Sequence, residues 1–439
     1  MKKQIKTTFL FSLFAVLTIN LYAQNSDAKT DSLDLGDVIS KVISSYPSVK
    51  KAEIDIESSN AKIGLAKSGY YPLLDLTSSY SHLGPISQIS LPDLGTFNLY
   101  PADNYNASLN LNQQLYDFGK TKKSVDMELQ EKALSQLSLE QLKQRLSLSI
   151  LGNYYSIVYL QEAIQIKEEE LKNLNDHLLF VEKKVATGSA TQYEILTTKV
   201  RISNIQNQET DLQTSLQVQQ SQLNSFLGQS AATPVRLKKR ISAPQLVAQQ
   251  DVLLSKAVAQ RDEMRIARQR NLIAESHMKV VDAEKNPVFN AFASGGFKNG
   301  YMPEQGTLKA NYVVGIGFKF PILDGQKTKY NRMQVKNDLL EVDQDAELVR
   351  RNISNEVVEC RANVDAALKK ISQSELQLKQ AEQAYALAQT SFKAGTITNL
   401  DLLDSSTSLA ESHLSVTKSH IDYTVNLLKL KIAIGERIY

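Results

Sequence analysis

Gln114-Leu-Tyr-Asp-Phe-Gly-Lys120 is followed, 207 residues on, by Pro321-Ile-Leu-Asp-Gly-Gln-Lys327. The correspondence extends well past these heptapeptides. Tyr105 to Gly228 and Tyr312 to Gly435 align at the same offset over 124 residues without a gap. Gly188 falls on Gly395, Ile195 on Leu402, and Leu227-Gly228 on Ile434-Gly435. A period this long means two copies of one large unit, not the short stacked units of a solenoid. A register kept for so long leaves few loops, which points to long regular elements.

Proline and glycine show which elements. The ten prolines stand at 47, 72, 85, 92, 101, 234, 244, 287, 303 and 321, so 102–233 and 322–439 contain none. Proline in a helix interior costs about 3 kcal/mol, so proline-free stretches of this length permit very long helices. Ile202, Ile205, Leu212, Leu216, Leu223 and Leu227 recur at heptad-type spacing, as do Leu35, Val38, Val42, Val49, Ile56 and Ile63. That spacing is the seam of coiled-coil packing. The predicted helices are 33–69, 119–187 and 190–228 in the first copy, and 251–285, 326–394 and 397–435 in the second.

Between these helices the period drops to two. Tyr105, Ala107, Leu109, Leu111 and Leu115 alternate with Asn106, Ser108, Asn110, Asn112 and Gln114. Tyr312, Val314, Ile316, Phe318 and Phe320 repeat the apolar parity at offset 207. Partner strands are predicted at 73–82 and 288–297, so hairpins span 72–118 and 287–325. Strands of about 10 residues with one apolar face fit a transmembrane barrel. An ordinary half-buried hairpin is the simpler alternative, but rods this long offer no globular core for it. Tyr70, Tyr71, Tyr105, Tyr116, Tyr312 and Tyr330 are read at helix-to-strand borders, where a membrane interface favours amphipathic rings. Four strands cannot close a barrel alone, because an open edge in lipid leaves backbone groups unsatisfied. Closure calls for several chains in a symmetric ring. The first hairpin loop is eight residues longer than the second and holds Pro85, Pro92 and Pro101.

The organisation expected is therefore a signal peptide at 1–23, a first repeat at 24–228, a linker at 229–250 and a second repeat at 251–439. Lys2, Lys3 and Lys6 precede the apolar run Phe9 to Ile19, and Ala23 offers a small residue before a cut. No later segment reaches the ~18 apolar residues of a spanning helix. Cys360 is the sole cysteine, so no internal disulfide forms, and net charge is +3 without single-sign blocks. Nucleic-acid binding is excluded on that footing, and Arg236 to Arg240 reads as a solvated linker. The five histidines are scattered, and Gly315-Ile-Gly317 lacks a third glycine. No catalytic motif and no cofactor or metal site is expected.

With Tyr70-Tyr-Pro-Leu-Leu74, the two Asp-containing turns before the long helices, Gly188-Ser-Ala-Thr-Gln-Tyr-Glu-Ile-Leu196 and Gly395-Thr-Ile-Thr-Asn-Leu-Asp-Leu-Leu-Asp404 in order, the chain resembles the outer-membrane efflux protein family, the TolC-like ducts. The resemblance covers nearly all of 33–439. It implies a mainly α fold with β-hairpins: a homotrimer with a 12-stranded barrel in the outer membrane of a Gram-negative bacterium, continuous with a 12-helix periplasmic α-barrel. It implies a passive exit duct, working with a periplasmic adaptor (membrane-fusion) protein and an inner-membrane RND or ABC pump. The outer-membrane part of a type I protein-secretion system is the alternative, and a periplasmic coiled-coil adaptor or structural rod the second.

The family's tip acids map onto Asp401 and Asp404, with Glu194 and Thr197 at the matching places in the first copy. Gly188 and Gly395 mark the tip turns. Stacked carboxylate rings would attract cations at the entrance. The competing reading is that acids simply complement a helix amino terminus. No basic residue lies between Gly395 and Asp404, which speaks against an ionic lock, and one copy is expected to carry more of the gate than the other. A belt around the helices would come from 229–250 and the amino-terminal segment.

Overall fold

A computed structural model describes residues 32–92, 95–242 and 248–439. The signal-peptide assignment at 1–23 lies outside the described residues. The first half runs α1 (Leu35–Ser45), α2 (Pro47–Lys67), β1 (Leu73–His82), β2 (Gln88–Leu91), β3 (Gly95–Asn98), β4 (Asp103–Tyr116), α3 (Lys120–Ala186) and α4 (Gln192–Leu227). The second runs α5 (Gln250–Gln260), α6 (Asp262–Ala283), β5 (Val288–Lys298), β6 (Lys309–Lys319), α7 (Lys327–Lys393) and α8 (Asn399–Ala433).

α3 and α7 have 67 residues each, so each rod is about 100 Å long at 1.5 Å per residue. Both start from a sharp turn out of the sheet. Phe118 and Gly119 take positive φ in the first turn, Gly325 and Gln326 in the second. The preceding aspartates close these turns: Thr121 N donates to Asp117 Oδ2 at 2.6 Å, and Thr328 N to Asp324 Oδ2 at 3.0 Å. Phe118 and Gln326 show that tertiary placement, and not glycine alone, imposes the left-handed backbone here.

The shorter helices differ from expectation. The span 33–69 is broken at Tyr46, whose ψ of 131° is extended because Pro47 disfavours the helical region for its predecessor. The span 251–285 is broken at Arg261, φ −63° and ψ 139°, with no proline. Tertiary contacts hold that second break. Gly435, at φ +85°, lies so close that an added Cβ would stand 2.9 Å from Gln260 Cβ. Arg437 bonds Asp262 at 3.0 Å, and Arg261 pairs with Glu263 at 2.9 Å and also with Glu356.

α2, α4, α6 and α8 pack along α3, and α5, α6 and α8 along α7. The largest core cluster surrounds Tyr154 and Tyr155 of α3, with Val38, Ile39 and Val42 from α1 and Leu223 from α4. Here the segment before α1 meets the linker as a parallel bridge, Leu33 beside Leu237. Tyr154 OH donates to the carbonyls of Leu33 at 3.1 Å and Lys238 at 2.5 Å, and Tyr155 OH to that of Arg240 at 2.8 Å. Burial raises both phenols, Tyr155 to about 12, so they stay protonated donors. The basic side chains of the run are exposed, as read for a solvated linker, and two of them also pair: Arg240 with Asp34 at 2.7 Å and Lys239 with Glu162.

The four long strands form one antiparallel sheet in the order β1-β4-β5-β6, with β4 and β5 joining the halves. The edges of β1 and β6 have no partner strand among the described residues. The longer loop carries the small β2-β3 hairpin, fully exposed.

Candidate functional site

Two regions position the residues singled out in the sequence: the sheet and the far ends of the long helices.

Pairing register defines the two faces of the sheet. On one, Leu76 of β1, Leu109 of β4, Gly295 of β5 and Tyr312 of β6 form a continuous row. Leu74, Leu111, Val314 and Ile316 extend this apolar face, and all are exposed. The other face is mainly polar, with Leu73, Val288, Phe292 and Val313 as its apolar members by register. Asn110 donates to Asp75 at 3.1 Å and Thr77 at 2.9 Å, and accepts from Ser294 at 2.8 Å. Phe292 covers Gly315, where an added Cβ would stand 2.4 Å from the ring. A bulge between Gln114 and Tyr116 shifts the alternation, so Tyr116 and not Leu115 aligns with Phe289 on the apolar face.

The tyrosines divide. Tyr70, Tyr71 and Tyr116 stand at the helix end of the sheet, and Tyr330 lies in the first turn of α7. Tyr116, Phe118, Phe289 and Phe318 form an aromatic run with ring centroids 4.6 to 6.4 Å apart. Tyr105 is not at a helix border; it sits at the opposite end, 5.2 Å from Tyr80. Tyr312 lies inside the apolar band, level with Gly295. Alternation tells which face a residue takes but not which end of the strand meets the helices. Eleven residues separate Tyr105 from Tyr116, about 37 Å along the strand, or ~26 Å of height at a 45° tilt. That matches the ~25 Å apolar band between the aromatic girdles of outer-membrane barrels.

At the far end, Gly188 (φ 73°) turns α3 into α4, and Gly395 (φ 77°) turns α7 into α8. Each following helix opens with a capping box, Thr191 with Glu194 and Thr398 with Asp401. Thr398 donates to Asp401 Oδ2 from N at 2.8 Å and from Oγ1 at 2.7 Å. The hydroxyl and backbone of Thr398 hold the Asp401 carboxyl below the usual carboxylate range. Asp401 and Glu194 thus both serve as caps.

Asp404 behaves differently. Arg201 of α4 reaches it at 2.7 Å, tying the two tip turns together. The expectation of no ionic lock considered a basic partner only between Gly395 and Asp404; this partner comes from the other half of the chain, 203 residues away. Neither partner has a copy at offset 207: Arg201 corresponds to Ser408 and Asp404 to Thr197.

A polar hub missed in the sequence lies beside this pair. His177 Nε2 donates to Asn399 Oδ1 at 2.6 Å. Asn399 Nδ2 faces Thr198 Oγ1 at 3.2 Å, Thr197 Oγ1 at 3.3 Å and the Glu194 carbonyl at 3.4 Å. The His177 ring packs 5.2 Å from Phe392, and burial lowers its pKa. A cavity of about 330 Å³ opens here among His177, Phe180, Tyr385, Phe392 and Leu402. Only the chain's fold brings α3, α4 and α8 together, so spacing could not reveal the hub. Among the described residues no group of three or more His, Cys, Asp or Glu could hold a metal, and no helix is long and apolar enough to cross a membrane.

A sheet with one lipid-suited face, continuous with ~100 Å helical rods ending in a tied tip, defines a channel-forming protein of the bacterial envelope. The outer membrane efflux protein family matches residues 38–229 and 253–436, and the chain belongs to that family. It is an outer-membrane protein of the TolC-like channel class, and so of a Gram-negative cell. The outer membrane protein TolC of Vibrio cholerae is 19% identical over 99% of this chain and 95% of its own length. The crystal structure of VceC from Vibrio cholerae superposes with a TM-score of 0.74 at 19% identity, covering 92% of this chain and 97% of that one. A CusC structure does so at 0.77 and 19% identity, covering 95% and 96%. TolC and VceC are outer membrane proteins by name, and the CusC structures concern transmembrane channel formation.

Proposed function

We infer that three copies of this chain form a passive exit duct of a tripartite efflux system. Each chain contributes four strands to a 12-stranded outer-membrane barrel and four rods to a periplasmic helical tube. The observation that carries this reading is the sheet: apolar on one face, mainly polar on the other, with both edges unpaired among the described residues. In lipid such edges must be closed by further chains. The tandem repeat lets three chains approximate six, which gives a tube of even wall from a trimer. An adaptor and an inner-membrane pump supply connection and energy. A periplasmic rod or adaptor would have no use for an exposed apolar sheet between aromatic rims.

The gate lies at the tip, with the Arg201–Asp404 pair holding α4 to α8 while Asp401 and Glu194 cap their helices. Purified protein in a planar bilayer should give discrete conductance steps. Absence of steps, or release of the protein from membranes by salt alone, would sink the duct reading.

A further inference from the structure

The charges of the barrel strands are sorted by face. The apolar face carries only His82 and Asp103, which pair with each other at 2.8 Å at the rim away from the helices. Lys298, Lys309, Lys319 and Asp75 all lie on the polar face by register. That is three lysines against one aspartate, a surplus of two positive charges per chain and six in a three-chain barrel. Asp75 is already bonded by Asn110.

The lysines are not scattered. Lys298 and Lys309 are directly opposite each other across β5 and β6, a placement in which like charges destabilise a sheet. Neither forms a salt bridge among the described residues; Lys298 lies 5.1 Å from the Tyr301 ring. Nor is the strand end free to splay them apart. Buried Asn299, next to Lys298, donates to the Asp103 carbonyl at 2.6 Å and accepts from Tyr105 N at 2.8 Å. The one acid in the intervening turn, Glu304, is six residues from Lys298 and exposed. At the other end of the duct the tip acids are engaged, Asp404 by Arg201 and Asp401 by Thr398.

We propose that the paired lysines form an anion-collecting ring at the outer mouth of the barrel lumen, and that the duct favours solutes carrying carboxylate, sulfate or phosphate groups. This rests on the trimeric duct reading above. A low-dielectric wall focuses the field of such a ring into the lumen, and rings of basic side chains are how pores select anions. Facing water and passing anions, the ammonium groups gain counter-charge that the ladder itself denies them.

The test is the reversal potential of single channels of the full-length protein in a planar bilayer under a KCl gradient. Wild type should show a chloride-to-potassium permeability ratio above one. Lys298→Gln with Lys309→Gln leaves Lys319 and Asp75 in balance and should bring the ratio close to one. Asp75→Asn should raise it, and it checks the same account without touching the lysine pair. A wild-type ratio below one, or a ratio unmoved by the double substitution, overturns the proposal while leaving the duct intact. No conductance from any variant overturns the duct reading and the proposal with it.

Discussion

Breaking the Arg201–Asp404 pair should loosen the tip. The Asp404 side chain is 61% exposed and that of Arg201 27%, so the pair sits near the solvent limit. Exposed pairs contribute roughly 0.2–1 kcal/mol each, and screening keeps this one in that range. A three-chain tip would carry three pairs, about 0.6–3 kcal/mol if they release together and add. At 1.4 kcal/mol per tenfold, that is a shift of the open population between roughly threefold and a hundredfold. The assay is the open probability of Arg201→Gln and Asp404→Asn channels in a planar bilayer at low salt. Both should open more often than wild type, and the gain should shrink as salt screens the pair in wild type as well. The charge swap Arg201→Asp with Asp404→Arg should restore closure. Equal open probability in all four proteins, or failure of the swap where the single variants had opened the tip, would refute the reasoning.

Acid should open the tip through His177. Burial lowers its pKa, so the packed tip favours the neutral ring; stability is then lost as pH falls below the ordinary histidine value of about 6.5. Open probability should rise between about pH 6.5 and 5, and His177→Gln should remove that rise. Asp401 is lowered in its cap, so its contribution is present above its unfolded pKa and fades only in stronger acid, as pH falls through the folded value. Gly315→Ala would drive a Cβ to 2.4 Å from the Phe292 ring and should lower the yield of assembled oligomer in chemical crosslinking, while Gly315→Ala with Phe292→Ala should recover part of it. Tyr154→Phe removes the hydroxyl from the Lys238 carbonyl, while the Leu33 carbonyl keeps Lys238 N as a donor at 2.9 Å; the loss of about 0.5–1.5 kcal/mol should speed proteolysis near residue 240 with conductance kept.

Much of the architecture was legible because it is periodic. Heptad spacing, proline-free runs and the 207-residue register placed the long helices within a residue or two of α3 and α7. Pro47 was visible too, yet the apolar spacing from Val42 to Val49 runs straight across it, so periodicity hid the break. The break at Arg261 has no proline behind it. Contacts from distant parts of the chain gather there, from Gly435, Arg437 and Glu356.

The tip was legible only in its local part. A helix-start reading of Asp401 follows from Thr398 three residues earlier, and the cap fits it. Asp404 shares the same helix face by spacing, but its partner Arg201 and the His177–Asn399 contact span 203 and 222 residues. Such pairs depend on which rods lie side by side. Register on the sheet was a further limit: alternation put Tyr105 and Tyr312 on the right face, but it carried no information on height.

The account stands on closure of the unpaired edges of β1 and β6 by further copies of the chain. In a Cys360→Ser background, single cysteines placed in pairs along β1 and β6, such as Ser79→Cys with Val313→Cys, can be oxidised in the membrane. Some register of the pair should yield a ladder of two and then three covalently joined chains, ending at three. Only monomer across the whole set, or a ladder continuing beyond three, would contradict a barrel shared by three chains.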